Sequence, residues 1–225
     1  MRKLYHYPIS PFSRKVRVML AEKELPCEVI IENFWERRRE FLAMNPAAQV
    51  PVLKEADGSI YADSTAICEY LDERYGDDPQ YSLIGRSVGE RAETRRIAAW
   101  FNNKFYYEVT KYILDEKVYK HYRRQGEPDS GAIRAAKSNI LYHLDYIAHL
   151  TREHKWLAGE RYSIADITAA SHISVLDYFS DVPWNHSPAV KEWYALAKSR
   201  PGFRLVLEER IPGFRPPSYY DNPDF

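Results

Sequence analysis

A composition that announces its own chemistry is what this sequence lacks. Lys plus Arg and Asp plus Glu stand at 32 each. No net field therefore draws the chain toward nucleic acid, an anionic membrane or an acidic substrate, and any charge-based partner has to be read locally. Cysteine is scarce: Cys27 and Cys68 are far apart and outside any CxxC or zinc-type spacing. That argues against a disulfide framework or a metal centre and leaves buried, unreactive thiols as the simplest reading. The seven histidines form no ligand pattern, so no metal is expected. No apolar run approaches the roughly 18 residues of a membrane span, and the first residues hold no apolar secretion segment. The expectation is a cytoplasmic protein with no membrane insertion, no nucleic acid partner and no required cofactor.

What is present is 45% apolar residues, ample for packed cores, in a pattern that changes partway along the chain. Residues 3–7 read as a strand, and Ser10-Pro11-Phe12-Ser13 opens an amphipathic helix to about 23 with Val16, Leu20 and Ala21 on one face. Residues 27–31 read as a second strand and 35–44 as a charged helix or helical loop. Residues 51–54 and 59–62 flank Asp57-Gly58, a strong hairpin signal, and 64–74 read as a third helix. This β-α-β-α-β-β-α order implies a four-stranded mixed sheet with helices on its faces.

Residues 77–89, rich in Gly, Pro, Asp and Ser, read as a linker between a domain of 1–76 and a helical domain of 90–210. Helices are expected over 91–122, over 130–153 with Ile133, Ile140, Leu144 and Ile147 in register, over 163–179, 187–199 and 202–210. Gly126-Glu127-Pro128-Asp129 breaks the first from the second. Ser163-Ile164-Ala165-Asp166 is a capping box. Residues 211–225 carry prolines and aromatics without helical period and read as an extended tail.

Four motifs in order resemble the cytosolic glutathione transferase superfamily over about residues 3–210. They are Asn45-Pro46-Ala47-Ala48-Gln49-Val50-Pro51, Asp63-Ser64-Thr65-Ala66-Ile67, Trp156-Leu157-Ala158-Gly159 with the capping box, and Trp193 through Arg200-Pro201. The resemblance implies an α/β plus all-α architecture, a thioredoxin-like domain with a cis bond at Val50-Pro51 followed by an all-helical domain, and a homodimer. A cis X-Pro bond there would hold out the Val50 backbone for an extended tripeptide to pair with. By resemblance glutathione would be the ligand, bound by Gln49, Val50, Asp63 and Ser64. Ser64 and nearby amides would take its γ-glutamyl carboxylate, as helix N-termini suit anions, and Asp63 its ammonium. Asp63 and Ser64 also read simply as a helix cap.

Ser10 or Ser13 occupies the loop where serine-type members hydrogen-bond the glutathione sulfur and favour its thiolate. Ser10-Pro11-Phe12 resembles that motif and points to Ser10 as the catalytic residue of a transferase, while an N-cap with Pro11 behind it is the structural alternative. Ser10-x-x-Ser13 stands where redox members carry CxxC, so thiol–disulfide exchange is not expected. Gln49 replaces the basic residue many transferases use on the glycyl carboxylate, removing one charge-assisted contact.

Phe34-Trp35-Glu36-Arg37-Arg38-Arg39 reads instead as an interface, since Trp and Arg are over-represented at hot spots. Core packing of Trp35 is the alternative. The aromatic, acidic, Pro-restricted end Tyr219-Tyr220-Asp221-Asn222-Pro223-Asp224-Phe225 suits docking on a partner, or packing back on its own domain. Residues 8–17, 35–38 and 143–146 together with this end resemble a bacterial division branch of the family whose partner is the tubulin-like protein FtsZ. That resemblance implies that Trp35, Arg37, Arg38 and Arg39 meet FtsZ. It also implies that Asp224 and Phe225 act in constriction, with possible further division proteins at the tail, and that the protein is recruited to the division site with its glutathione pocket vestigial. The competing expectation is an enzyme that conjugates glutathione to an electrophile with Ser10.

Overall fold

Four short strands, β1 (Lys3–His6), β2 (Glu28–Ile31), β3 (Val52–Lys54) and β4 (Ile60–Ala62), form one sheet in the order β2-β1-β3-β4. They belong to a computed structural model that describes residues 1–76 and 81–222. β1 runs parallel to β2, pairing Leu4 with Val29, and antiparallel to β3, pairing Leu4 with Leu53. The β3–β4 hairpin turns at Asp57-Gly58, where Gly58 has φ +93° and the Asp57 carboxylate accepts from the Ser59 amide at 2.9 Å. A side chain at 58 would be strained in that left-handed backbone.

Helices α1 (Pro11–Glu22), α2 (Arg39–Met44) and α3 (Ser64–Arg74) accompany the sheet. The expected 35–44 helix is split, because Phe34–Glu36 is a 3₁₀ turn closed by Arg37 at φ +51°. One apolar face does not describe α1 either. It is packed by α3 and by two helices of the second domain, so Arg14 and Lys15 are buried along with Val16, Met19 and Leu20.

The second domain begins with α4 (Val88–Trp100), opened by a Ser87/Glu90 capping box one turn before the expected start. Its rod continues without a break through π-helical Phe101–Thr110, α5 (Lys111–Leu114), π-helical Asp115–Tyr119 and α6 (Lys120–Arg123). Apolar period did not disclose those π stretches, which often mark functional sites. There follow α7 (Ser130–Leu150), α8 (Ile164–Tyr178), α9 (Pro188–Ser199) and α10 (Pro201–Leu207). α8 is buried along its whole length and is the axis of the core. Its capping box forms as the sequence implies, with the Ser163 amide donating to Asp166 Oδ2 at 3.1 Å.

Two connections do more than their composition implies. Ser82 and the Leu83 amide donate to Asp72 of α3 at 2.7 and 3.0 Å, and the Leu83 carbonyl accepts from Ile164 at the start of α8. This part of the linker therefore ties both domains. The tail, expected to be extended, folds back over residues 211–222: Ile211 and Tyr220 are buried, and Phe214 meets Tyr122 edge-on. Apolar aromatics spaced without helical period can still be anchors.

β1 also carries a pH sensitivity. Burial, with a smaller contribution from the charge of Arg17, pulls the His6 imidazole down to about 3. As pH falls below the ordinary value of 6.5 the unfolded chain binds a proton that the folded chain refuses. Stability is thus lost as pH falls, by about 2 kcal/mol at pH 5. His6→Leu is expected to flatten this acid limb in urea denaturation between about pH 7 and pH 4; an unchanged slope would assign the limb to other groups.

Candidate functional site

A cleft of about 510 Å³ lies between the two domains. Its first wall is the loop entering α1. Ser10 is buried as the N-cap, its Oγ accepting from the Ser13 amide at 3.3 Å, and it lines the cleft. Ser13 is turned away: its Oγ accepts from the Tyr7 amide at 3.2 Å, and it does not line the cleft. The structure thus separates two serines that the motif left as alternatives.

The second wall is the segment before β3, with a cis bond at Val50-Pro51. Asn45 folds this turn by donating from Nδ2 to the Gln49 carbonyl at 2.8 Å and accepting from the Ala47 amide at 3.2 Å. Gln49, Val50 and Pro51 line the cleft, and neither the amide nor the carbonyl of Val50 has a partner among the described residues. A free donor and acceptor on one residue make an edge on which an extended peptide can pair.

The third wall is the start of α3. Asp63, at φ +69°, caps it by accepting from the Thr65 and Ala66 amides at 2.7 and 3.4 Å, and Ser64 is buried beside it on the cleft. The capping role expected of Asp63 is therefore real, and both residues still border the cleft.

The helical domain closes the space with the π-helical part of the rod. Asn102, Asn103, Tyr106 and Tyr107 line it from Phe101–Thr110, and Phe12 packs edge-on against Tyr106 with centroids 4.8 Å apart. Burial pushes the Tyr106 hydroxyl up to about 12, so it is a neutral donor at neutral pH. Lys15 was missed by the sequence reading. It is buried on the cleft, and among the described residues its ammonium has one hydrogen-bond partner, Asn102 Oδ1 at 3.3 Å. Burial lowers its pKa, against the charges of Cys68, Asp63 and Glu69. Lys15 sits between Arg14 and Val16 in a helix that also carries Arg17 and Glu22, so its residue type alone gave no signal. Arg95 and Arg123 also line the cleft, Arg95 held by both oxygens of Glu69 at 2.8 and 2.6 Å. Cationic groups reach this site from α1 and the helical rod.

Cys68 is buried on the cleft and burial lifts its thiol to about 12; Cys27 is half-buried and lifted to about 11. Neither is a thiolate near neutrality. Among the described residues no group of His, Cys, Asp and Glu is arranged to hold a metal ion, and no helix is long and apolar enough to cross a membrane.

Trp35 and the arginines form a separate feature. Trp35 stacks on Tyr122 with centroids 5.5 Å apart and meets Tyr7 edge-on at 4.9 Å, so it is half-buried at the seam between the domains and does not line the cleft. Arg38 is engaged by Glu32 and by Glu40, the latter at 3.7 Å. Arg37 and Arg39 are exposed with no carboxylate in reach among the described residues. Asp224 and Phe225 lie outside the described residues.

The glutathione S-transferase N-terminal domain family matches residues 4–79, and the glutathione S-transferase C-terminal domain family matches residues 110–201. FtsZ-localized protein A of Caulobacter vibrioides is 43% identical over 227 residues, spanning 100% of this chain and 98% of that protein. Two crystal structures are similar throughout. A glutathione S-transferase from Rhodospirillum rubrum F11 has a TM-score of 0.94 at 52% identity, covering 100% of both chains. FzlA from C. crescentus has a TM-score of 0.95 at 43% identity, covering 100% of this chain and 99% of that one.

Proposed function

The chain belongs to the glutathione S-transferase family, and from that premise we propose that it serves as a filament-binding division regulator that engages FtsZ and promotes constriction. The observation that carries this reading is the match to FtsZ-localized protein A, which covers 100% of this chain, tail included, and 98% of that protein. The exposed Arg37 and Arg39 beside Trp35 support it, since unpaired guanidinium groups around an aromatic anchor suit a protein partner. A homodimer would present this surface twice and could bridge filaments by multivalency. Recruitment to the division site follows from the same reading.

Cosedimentation with GTP-assembled FtsZ tests it: the wild-type protein is expected in the pellet and Arg39→Glu in the supernatant. Arg39 is exposed, so its reversal leaves the core intact, whereas Trp35→Ala also opens the seam. Equal pelleting of wild type and Arg39→Glu, or none of either, would overturn the proposal.

A second reading is favoured by a specific arrangement. The Ser10 hydroxyl, the free Val50 backbone and Ser64 converge on one cleft, which fits glutathione as ligand, with Ser10 donating to its sulfur. Titration calorimetry with glutathione separates the readings. Binding at millimolar or tighter concentration, together with conjugation lost in Ser10→Ala, would make the chain an enzyme. Absence of both leaves the pocket as inherited scaffold.

A further inference from the structure

Five arginines without a carboxylate partner among the described residues lie in the chain segments that carry the aromatic seam. Arg37 and Arg39 come from the first domain, Arg123 and Arg124 from the end of the helical rod, and Arg215 from the tail; all are exposed. Their neighbours bring them together. Trp35 stacks on Tyr122 at 5.5 Å, Tyr122 meets Phe214 at 6.0 Å, and the Arg123 guanidinium lies over Tyr119 at 5.5 Å. Of the adjacent acids Glu40 faces Arg38, and Glu36, which accepts from the neutral Asn33 amide at 2.9 Å, is outnumbered by the arginines. In a chain with no net charge, this is a local concentration of one sign.

Two of the five stand where arginine is a poor choice for stability. Arg37 and Arg124 end their helical turns at φ +51° and +53°, a left-handed conformation that glycine adopts without penalty and residues with a Cβ do not. Their guanidinium groups are exposed and make no hydrogen bond among the described residues, so the folded state gains nothing visible from them.

We propose that the seam is a docking surface for an acidic, extended polypeptide segment, whose carboxylates pair with the guanidinium fork of these arginines across both domains and the tail. This rests on the filament-binding reading and names the chemistry of the partner. A nucleic acid fits less well, because the chain as a whole is neutral and the aromatic rings are packed edge-on and face-on against one another rather than open for base stacking. A lipid surface would require exposed apolar side chains among the arginines, and Trp35, Tyr122 and Phe214 are half-buried.

The test is fluorescence anisotropy with a labelled oligoglutamate peptide of about ten residues. Wild-type protein is expected to bind at low salt and to weaken steeply as ionic strength rises past the point where the Debye length falls to about 8 Å. Arg37→Gly with Arg124→Gly is expected to weaken binding on the order of tenfold while melting no lower than wild type, a combination that damage to the fold does not produce. Arg152→Gln, at an exposed arginine elsewhere, is expected to bind as wild type does. The proposal is overturned by no peptide binding at low salt, by unchanged binding in the double glycine variant, or by tighter binding of a DNA duplex or phosphatidylglycerol vesicles. Peptide binding without FtsZ pelleting would retain the surface and remove FtsZ as its partner. FtsZ pelleting that persists in the double glycine variant would sink this inference and leave the filament reading standing.

Discussion

Asp166→Ala is expected to destabilise the protein by about 4 kcal/mol or more, a large share of the 5–15 kcal/mol that holds a typical domain folded. Asp166 is fully buried and serves two elements at once. Oδ2 accepts from the amide and hydroxyl of Ser163, both at 3.1 Å, closing the N-terminus of α8. Oδ1 accepts from the Leu157 amide at 2.9 Å and from Trp193 Nε1 of α9 at 3.0 Å. Burial raises the carboxyl to about 6 against the pull of these donors, so it remains ionised at neutral pH. Alanine strands at least three buried N–H groups, each costing about 1–3 kcal/mol. Asp166→Asn keeps acceptor contacts at one oxygen but sets an amide against the Ser163 donors, and it should recover only part of the loss. Urea denaturation at pH 7 measures this. A loss under about 1 kcal/mol for the alanine variant would mean that the loop before α8 relaxes to find other partners.

Arg14→Ala is expected to cost about 3 kcal/mol or more, since it strips three buried oxygen acceptors of their donor at about 1–3 kcal/mol each. From α1 its Nε donates to the Pro8 carbonyl at 2.9 Å, and one terminal nitrogen donates to Ser174 of α8 and to the Tyr220 hydroxyl, both at 2.7 Å. One side chain therefore joins the loop carrying Ser10, the central helix of the second domain and the folded-back tail. Its removal should release the tail as well as lower stability, so limited proteolysis should cleave beyond residue 210 faster than in wild type. Arg14→Lys retains the charge but not the fork, and it should behave more like alanine than like arginine. An alanine variant that is equally stable with a protected tail would refute the linkage.

These two residues mark where legibility in the sequence ends. Asp166 was readable because a capping box is local: Ser163 and Asp166 meet in any helix that begins there, whatever packs against it. The Asp57-Gly58 hairpin and the Val50-Pro51 turn are local in the same way, and they appear where expected. Arg14 was not readable. A helix-period argument places a cation on the solvent side, and α1 has almost no solvent side because α3, α8 and α10 surround it. Lys15 was hidden for the same reason. The long rod misled in another way, since a steady apolar period concealed two π-helical stretches, while the tail's aromatics left docking and packing back as alternatives, of which residues 211–222 take the second.

The division of labour at the site is equally specific. By itself the sequence determined the order of strands and helices, the hairpin, the helix caps and the residue types available around a cleft, because short-range turn and cap chemistry sets them, while the cis bond was expected from the family resemblance. Only the tertiary structure decided that Ser10 lines the cleft while Ser13 holds the loop, and that Trp35 closes a seam. It alone brought Trp35, Tyr122 and Phe214 together from three distant segments of the chain. Such choices depend on which faces of distant elements are pressed together, and that depends on burial across the whole chain rather than on the spacing of neighbours.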